Sequence, residues 1–334
     1  MHIGVYTAIL HDRPLGEALD VIKGLSLDGA EINAGGFLPP VHLPIDDIMS
    51  SDDRRDEYLE EFATRGIAIT ALNCNGNPLH PDPAVRHGAD LVGAIDVAAR
   101  LGVERIVTMS GSPAHSAGGI RPGWVVNPWN SVDMDSLDYQ WNDVAIPFWR
   151  EIDRRAASAG VRIGIEMHPQ NIVFNPSTLV RLVERAGTTH IGAEMDPSHL
   201  FWQQIDPIAA LEYLGDLVVT AAAKDVRIND SVRIHGVLDD RFRRVPAEEG
   251  PLELGGGYTL CEWPEDSAWD FVAVGRGHDQ SYWNRFVRTL ASTAPGVDIA
   301  IEHEDASLGR IEGLQVAAAT MLAARSSARV EHAT

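Results

Sequence analysis

The sequence predicts a closed (β/α)8 barrel. Three observations lead there: short apolar runs alternate strictly with longer amphipathic stretches, there are eight of each, and acids or histidines end several of the runs. A chain of 334 residues suits such a barrel with extended loops. A doubly wound open sheet would alternate in the same way, but no Gly-rich nucleotide fingerprint follows the first run.

The opening MHIGVYTAIL predicts a strand over 3–9, and the first helix is expected over 15–25. Strands over 29–33 and 67–73 follow, with helices over 52–65 and 83–101. The fourth strand, 103–109, runs into a long connection, 110–141, before the helix over 144–159. VRIGIEMHP predicts the fifth strand over 161–167, with its helix over 178–186. The sixth pair is expected over 190–196 and 207–213, and the seventh strand over 217–224. A second long connection, 226–279, precedes a helix over 281–291, and the last pair spans 297–303 and 311–324. The barrel domain is expected over 1–326, with RSSARVEHAT frayed and 327–334 a flexible tail. Both long connections leave the C-terminal ends of strands, where barrels build their sites, and their Trp, Gly, Pro and Tyr suit a cover over a polar ligand.

Composition narrows the function. The 27 basic and 48 acidic residues give a net charge of −21, a field that repels phosphate backbones and anionic bilayers. No nucleic acid and no membrane is expected as a partner. The chain lacks an apolar run of about 18 residues that would span a bilayer, and its opening does not read as a secretion signal. Cys74 and Cys261 are too few for a disulfide framework, so a reducing cytoplasm is expected. No Gly-x-Ser-x-Gly elbow and no Walker loop occurs.

The chemistry is expected at strand ends. Strand five places Glu166 and His168 after an apolar run, two residues apart and so on one face. Strand six ends at Asp196, with His199 three residues on, and the last strand ends at Glu302. Three unpaired carboxylates in one small volume would repel and desolvate badly, so a divalent cation is their natural partner. This mixed carboxylate and imidazole set suits manganese, magnesium, cobalt or zinc alike, and manganese is the cofactor expected. Glu304 and Asp305 read as loop charges, and Glu194 as interior or paired with a base.

The series IEMHP, DPSHLFW, AAAKD, VGRGHD and IEHED resembles, in order, the strand-end signatures of the xylose isomerase-like TIM barrel superfamily of sugar isomerases and epimerases. NCNGNPLHP, the SGSP…WVVNPW loop and WDFVAVGRGHD resemble the subgroup containing the catalytic subunits of C-glycoside deglycosidases. The resemblance implies a metal held by Glu166, Asp196, Glu302 and a histidine two residues before the Lys-Asp of strand seven. That position is Ala222 here, which leaves His278 as a substitute ligand, water in its place, or a degenerate site. It further implies Glu166 and Glu302 as bases, His168 and His199 as hydroxyl or proton carriers, and Lys224 as a carbonyl polariser or a structural partner of Asp225. Asn75, His80, Arg227, His235 and His278 would contact substrate. Trp124 and Trp129 would stack on a sugar or aglycone, while Trp202 would pack. The expected activity is metal-dependent proton abstraction next to a sugar carbonyl. The alternatives are C-glycoside cleavage of a 3-keto-sugar and a non-catalytic sugar-binding barrel. A sugar or glycoside is the expected ligand, with a homo-oligomer or a small second subunit as further partners.

Overall fold

The computed structural model describes residues 1–331. Among them, eight parallel strands close into a barrel: β1 (Ile3–Tyr6), β2 (Gly29–Asn33), β3 (Ala68–Asn73), β4 (Arg105–Met109), β5 (Arg162–Glu166), β6 (Ile191–Met195), β7 (Val218–Ala223) and β10 (Ile299–Ile301). The expected closed barrel is thus the observed one. Between β7 and β10 lie β8 (Asp225–Ile228) and β9 (Trp269–Val272), an antiparallel pair set on the excursion after β7. The helices are α1 (Leu15–Gly24), α2 (Ile45–Ser50), α3 (Asp52–Ala63), α4 (His87–Leu101), α5 (Ser131–Asp138) and α6 (Ile146–Ala159). They continue as α7 (Pro176–Ala186), α8 (Ser198–Phe201), α9 (Pro207–Leu214), α10 (Val232–His235), α11 (Gln280–Thr293) and α12 (Arg310–Glu331). No helix among the described residues is long and apolar enough to cross a membrane.

Alternation divides each strand between two environments. Ile3, Val5, Ile163, Ile165, Ile299 and Ile301 are fully buried in the core shared with Leu19 and Ile22 of α1, Trp149 and Ile152 of α6, and Trp283 and Phe286 of α11. The other face of the strands is built of small residues followed by polar ones. Gly192 shows how tight this lining is, because a Cβ there would lie 2.0 Å from the Leu217 carbonyl oxygen. A bulge between Ala193 and Glu194 follows at once and resets the pairing of β6 with β7. Helix ends are specified locally. Asn175 and Thr178 exchange side-chain and backbone hydrogen bonds at the start of α7, Pro176 occupies its first position, and Gly187 stops it at φ 67°.

The barrel closes where β10 meets β1. Asp298 holds this seam, accepting from the His2 backbone N–H at 2.6 Å and from Arg105 at 3.0 Å.

Several local expectations are corrected. The first strand ends at Tyr6 and turns into a 3-10 segment, Thr7–Leu10. The connection after β4 is partly helical, with α5 followed by a π-helical turn, Tyr139–Ala145. The expected fraying after residue 324 is absent through Glu331: α12 continues, and Arg325 pairs with Asp28 at 2.7 Å. Of the proposed tail, 332–334 lie outside the described residues.

Candidate metal centre

The ends of β5, β6 and β10 point Glu166, Asp196 and Glu302 into one buried volume. One oxygen from each lies within 4.8 Å of the others. Asn75, just past β3, donates to Glu166 Oε2 at 2.6 Å, and His199 Nε2 contacts Glu166 Oε1 at 3.1 Å. Asp196 accepts from the Ser198 backbone N–H at 2.8 Å and its hydroxyl at 2.9 Å, which caps the short α8 carrying His199. Lys224, buried after β7, reaches Glu302 at 3.3 Å and Glu304 at 2.6 Å, and lies 4.6 Å from the Phe271 ring centre. His168 crosses His199 at 4.2 Å between rings, and its Nδ1 bonds to the Pro169 carbonyl at 2.7 Å.

Sharing Glu302 with this trio is a second one, of which sequence reasoning missed Glu31. Glu31 of β2 and Glu194 of β6 each bring an oxygen within 4.8 Å of one another and of Glu302. Asn73 donates to Glu31 Oε1 at 2.8 Å, but Glu194 is 0 % exposed and neither of its oxygens has a hydrogen-bond partner. Of its two readings, interior or paired with a base, the interior one is what forms. The signal was present in the sequence. Gly29-Ala-Glu31, Gly164-Ile-Glu166 and Gly192-Ala-Glu194 repeat one inward pattern of Gly, apolar, Glu, and Ala300-Ile-Glu302 repeats it with Ala.

So many buried acids cannot all ionise side by side. Burial raises Asp196 to about 7, and the Glu166 charge adds to this against the opposing pull of Lys224. Burial also raises Glu31 to about 7, and raises Glu302 and Glu194 well above the carboxylate range. Glu166 differs. Burial pushes it up, but the His199 hydrogen bond and the fields of His168, His199 and Lys224 prevail and hold it at about 2. Burial drives His199 down to about 3, so its imidazole is neutral near pH 7. For Lys224, burial is outweighed by the charges of Glu304, Glu302 and Asp196, and its ammonium persists. The donor set of hard carboxylate oxygens with neutral imidazole fits a divalent cation, which would offset the mutual repulsion.

Other expected site residues lie elsewhere. His278 is not brought to the trio: its Nδ1 bonds to Asp225 at 2.7 Å and its ring stacks on Phe201 at 3.7 Å. Asp225 also accepts the backbone N–H groups of Gly275, Gly277 and His278 at 3.0 Å, so it locks this turn and does not pair with Lys224. Arg227 is exposed on β8 and pairs with Asp270, and His235 pairs with Asp266. Trp129 is 88 % exposed. Trp124 sets its edge on Phe174, and Trp202 stacks on Trp269 at 5.4 Å, the packing role expected of it. His80 lines a separate open cleft of about 580 Å³ with Pro78, Pro113, Tyr139, Asp143 and Phe148. Asp305, read as a loop charge, is buried and accepts from the Ala273 N–H and from Arg276.

Comparison with known proteins places this geometry in a family. The family model described as xylose isomerase-like TIM barrel matches residues 19–325. The uncharacterized protein YfiH of Bacillus subtilis (strain 168) is 32% identical over 319 residues, covering 94% of this chain and 96% of that protein. A D-tagatose 3-epimerase-like protein superposes with a TM-score of 0.62 at 15% identity, covering 99% of this chain and 100% of the other. The IOLI protein, solved with a zinc atom, gives 0.61 at 18% identity with 98% of each chain covered. The chain belongs to the xylose isomerase-like TIM barrel family.

Proposed function

We propose that this protein is a divalent-metal-dependent sugar isomerase or epimerase that moves a proton on the carbon next to a sugar carbonyl. The observation that carries this reading is the meeting of Glu166, Asp196 and Glu302 beside two imidazoles and a buried ammonium. The zinc named for the IOLI structure and the epimerase named among the structural relatives agree with it. Bound by the trio, a divalent cation supplies positive charge that orients substrate oxygens and stabilises an enediolate. Glu166 and Glu302, which come from different strands, would act both as ligands and as the groups that take the proton and return it. Lys224, beside Glu302 and 4.6 Å from the Phe271 ring centre, would polarise the carbonyl oxygen. Manganese is the cation we expect.

The test is proton exchange. In deuterated buffer with manganese, a panel of ketoses is incubated with the protein and followed by NMR for deuterium at the carbon next to the carbonyl. Wash-in is expected, with at least about a hundredfold loss in Glu166→Gln and Glu302→Gln. Absence of exchange across the panel with metal bound would sink the enzymatic reading, and absence of bound metal would leave a sugar-binding barrel.

A second reading, cleavage of a 3-keto-C-glycoside, draws support from the insertion after β7. Phe242, Trp263 and Phe271 form an aromatic wall with ring centres 4.9 and 6.0 Å apart, and Phe271 approaches His199 at 5.7 Å. Such a wall suits a planar aromatic leaving group. By the resemblance, that activity calls for a smaller second subunit. Release of an absorbing aglycone from a 3-keto-C-glycoside, with no exchange on simple ketoses, would favour it.

A further inference from the structure

The three carboxylates leave the centre without a neutral donor from β7. One step beyond the paired Met195 and Ala221 stands Asp196 beside Ala222, whose methyl group offers no ligand atom. The imidazole nitrogen that contacts the acids comes from α8 instead. His199 Nε2 lies 3.1 Å from Glu166 Oε1 and 3.4 Å from Asp196 Oδ2. Adjacent donors on one octahedral ion, with bonds of about 2.1 Å, stand about 3 Å apart. The contact therefore has the spacing of two ligands as well as that of a hydrogen bond.

His199 is also free to take this part. Its ring is 1 % exposed, and its Nδ1 has no hydrogen-bond partner. When a cation takes the place of the Nε2 proton that bonds Glu166, the remaining ring proton can reside on Nδ1 and the Nε2 lone pair faces the acids. The ring is positioned by α8, which Asp196 itself caps through Ser198, and is flanked by Phe271 and His168. The other imidazoles are less suited. His168 lies within 4.8 Å of Glu166 and His199 but is only half-buried and makes neither of the close carboxylate contacts of His199, and His278 is bonded to Asp225.

We propose that His199 Nε2 is the nitrogen ligand of the metal centre, joining Glu166, Asp196 and Glu302 from α8 in place of a donor on β7. This rests on the metal-dependent reading above. One strand end then supplies two ligands, Asp196 and His199, three residues apart.

The full chain loaded with manganese tests it by pulsed electron paramagnetic resonance, which detects an imidazole nitrogen bound to the ion. The wild type is expected to show one such coupling. His199→Ala is expected to lose it and to bind manganese at least about tenfold more weakly, while His168→Asn keeps it. His199→Gln, which preserves volume, is expected to lose it too and guards against misfolding of the alanine variant, with circular dichroism as the check. Manganese bound without nitrogen coupling, or a coupling that survives in both His199 variants, would overturn the assignment and leave the metal reading intact. Loss of the coupling in His168→Asn would transfer the role to that residue and overturn it equally. If the wild type takes up no manganese, the metal reading fails and this assignment fails with it.

Discussion

Glu166 and its neighbours show how one environment assigns opposite states to like groups. Imidazole and ammonium partners keep Glu166 charged, whereas Asp196, one strand over, is held near neutrality by burial and by Glu166 itself. Metal uptake near pH 7 must then displace protons from Asp196 and Glu302. Manganese affinity is therefore expected to rise between pH 6 and 8, with proton release visible by titration calorimetry in buffers of different ionisation enthalpy; an affinity flat across that range would contradict it. Glu194 gives a second test. Because its carboxyl is raised by burial, it favours folding less as pH rises, whereas an amide does not titrate, so Glu194→Gln is expected to melt roughly 1–3 °C higher relative to the metal-free wild type at pH 8 than at pH 5. The sequence reveals Glu166, Asp196 and Glu302 because each ends an apolar run. It hides Glu31, which lies within a short run whose repeated Gly-x-Glu pattern is plain only when four strands are set side by side. His278, Arg227 and Trp129 sit on loops or insertions, where period-two alternation does not dictate which way a side chain faces.

The elements were legible to the extent that periodicity governs them. β2 has the expected bounds, and the other barrel strands lie within theirs, because each run must be apolar on its outer face. The two long connections were visible as lengths without form. Their order comes from contacts with distant parts of the chain, as when Gln140 of the π-helical turn donates to the Gly123 carbonyl at 2.6 Å. The turn at 275–278 is similarly built on Asp225, whose buried carboxylate collects three backbone donors and an imidazole. Asp225→Ala is expected to cost about 3 kcal/mol or more, since several charge-assisted hydrogen bonds go at once. Denaturant melts would register this, and an unchanged midpoint would show that the turn is held by other means.

At the scale of the whole barrel, the buried acids tie stability to pH. A carboxyl raised in the folded state holds its proton longer there than in the unfolded chain. Glu31 and Asp196 thus favour folding fully below about pH 4 and progressively less as pH rises through about 7, and Glu194 and Glu302 act in the same direction. Glu166 has the opposite sign, and its contribution fades as pH falls toward 2. The metal-free protein is therefore expected to melt lower at pH 8 than at pH 5.5, and saturating manganese to narrow the gap; calorimetric scans that rise with pH would refute this. The seam between β10 and β1, fastened by Asp298, carries a consequence for biosynthesis. The strand that closes the ring is the one that leads into Glu302, so the ribosome must deliver Ile299–Ile301 and the acid after them before the trio can exist. A nascent chain interrupted earlier holds Glu166 and Asp196 but lacks the third acid, and has nothing with which to shut the ring around them.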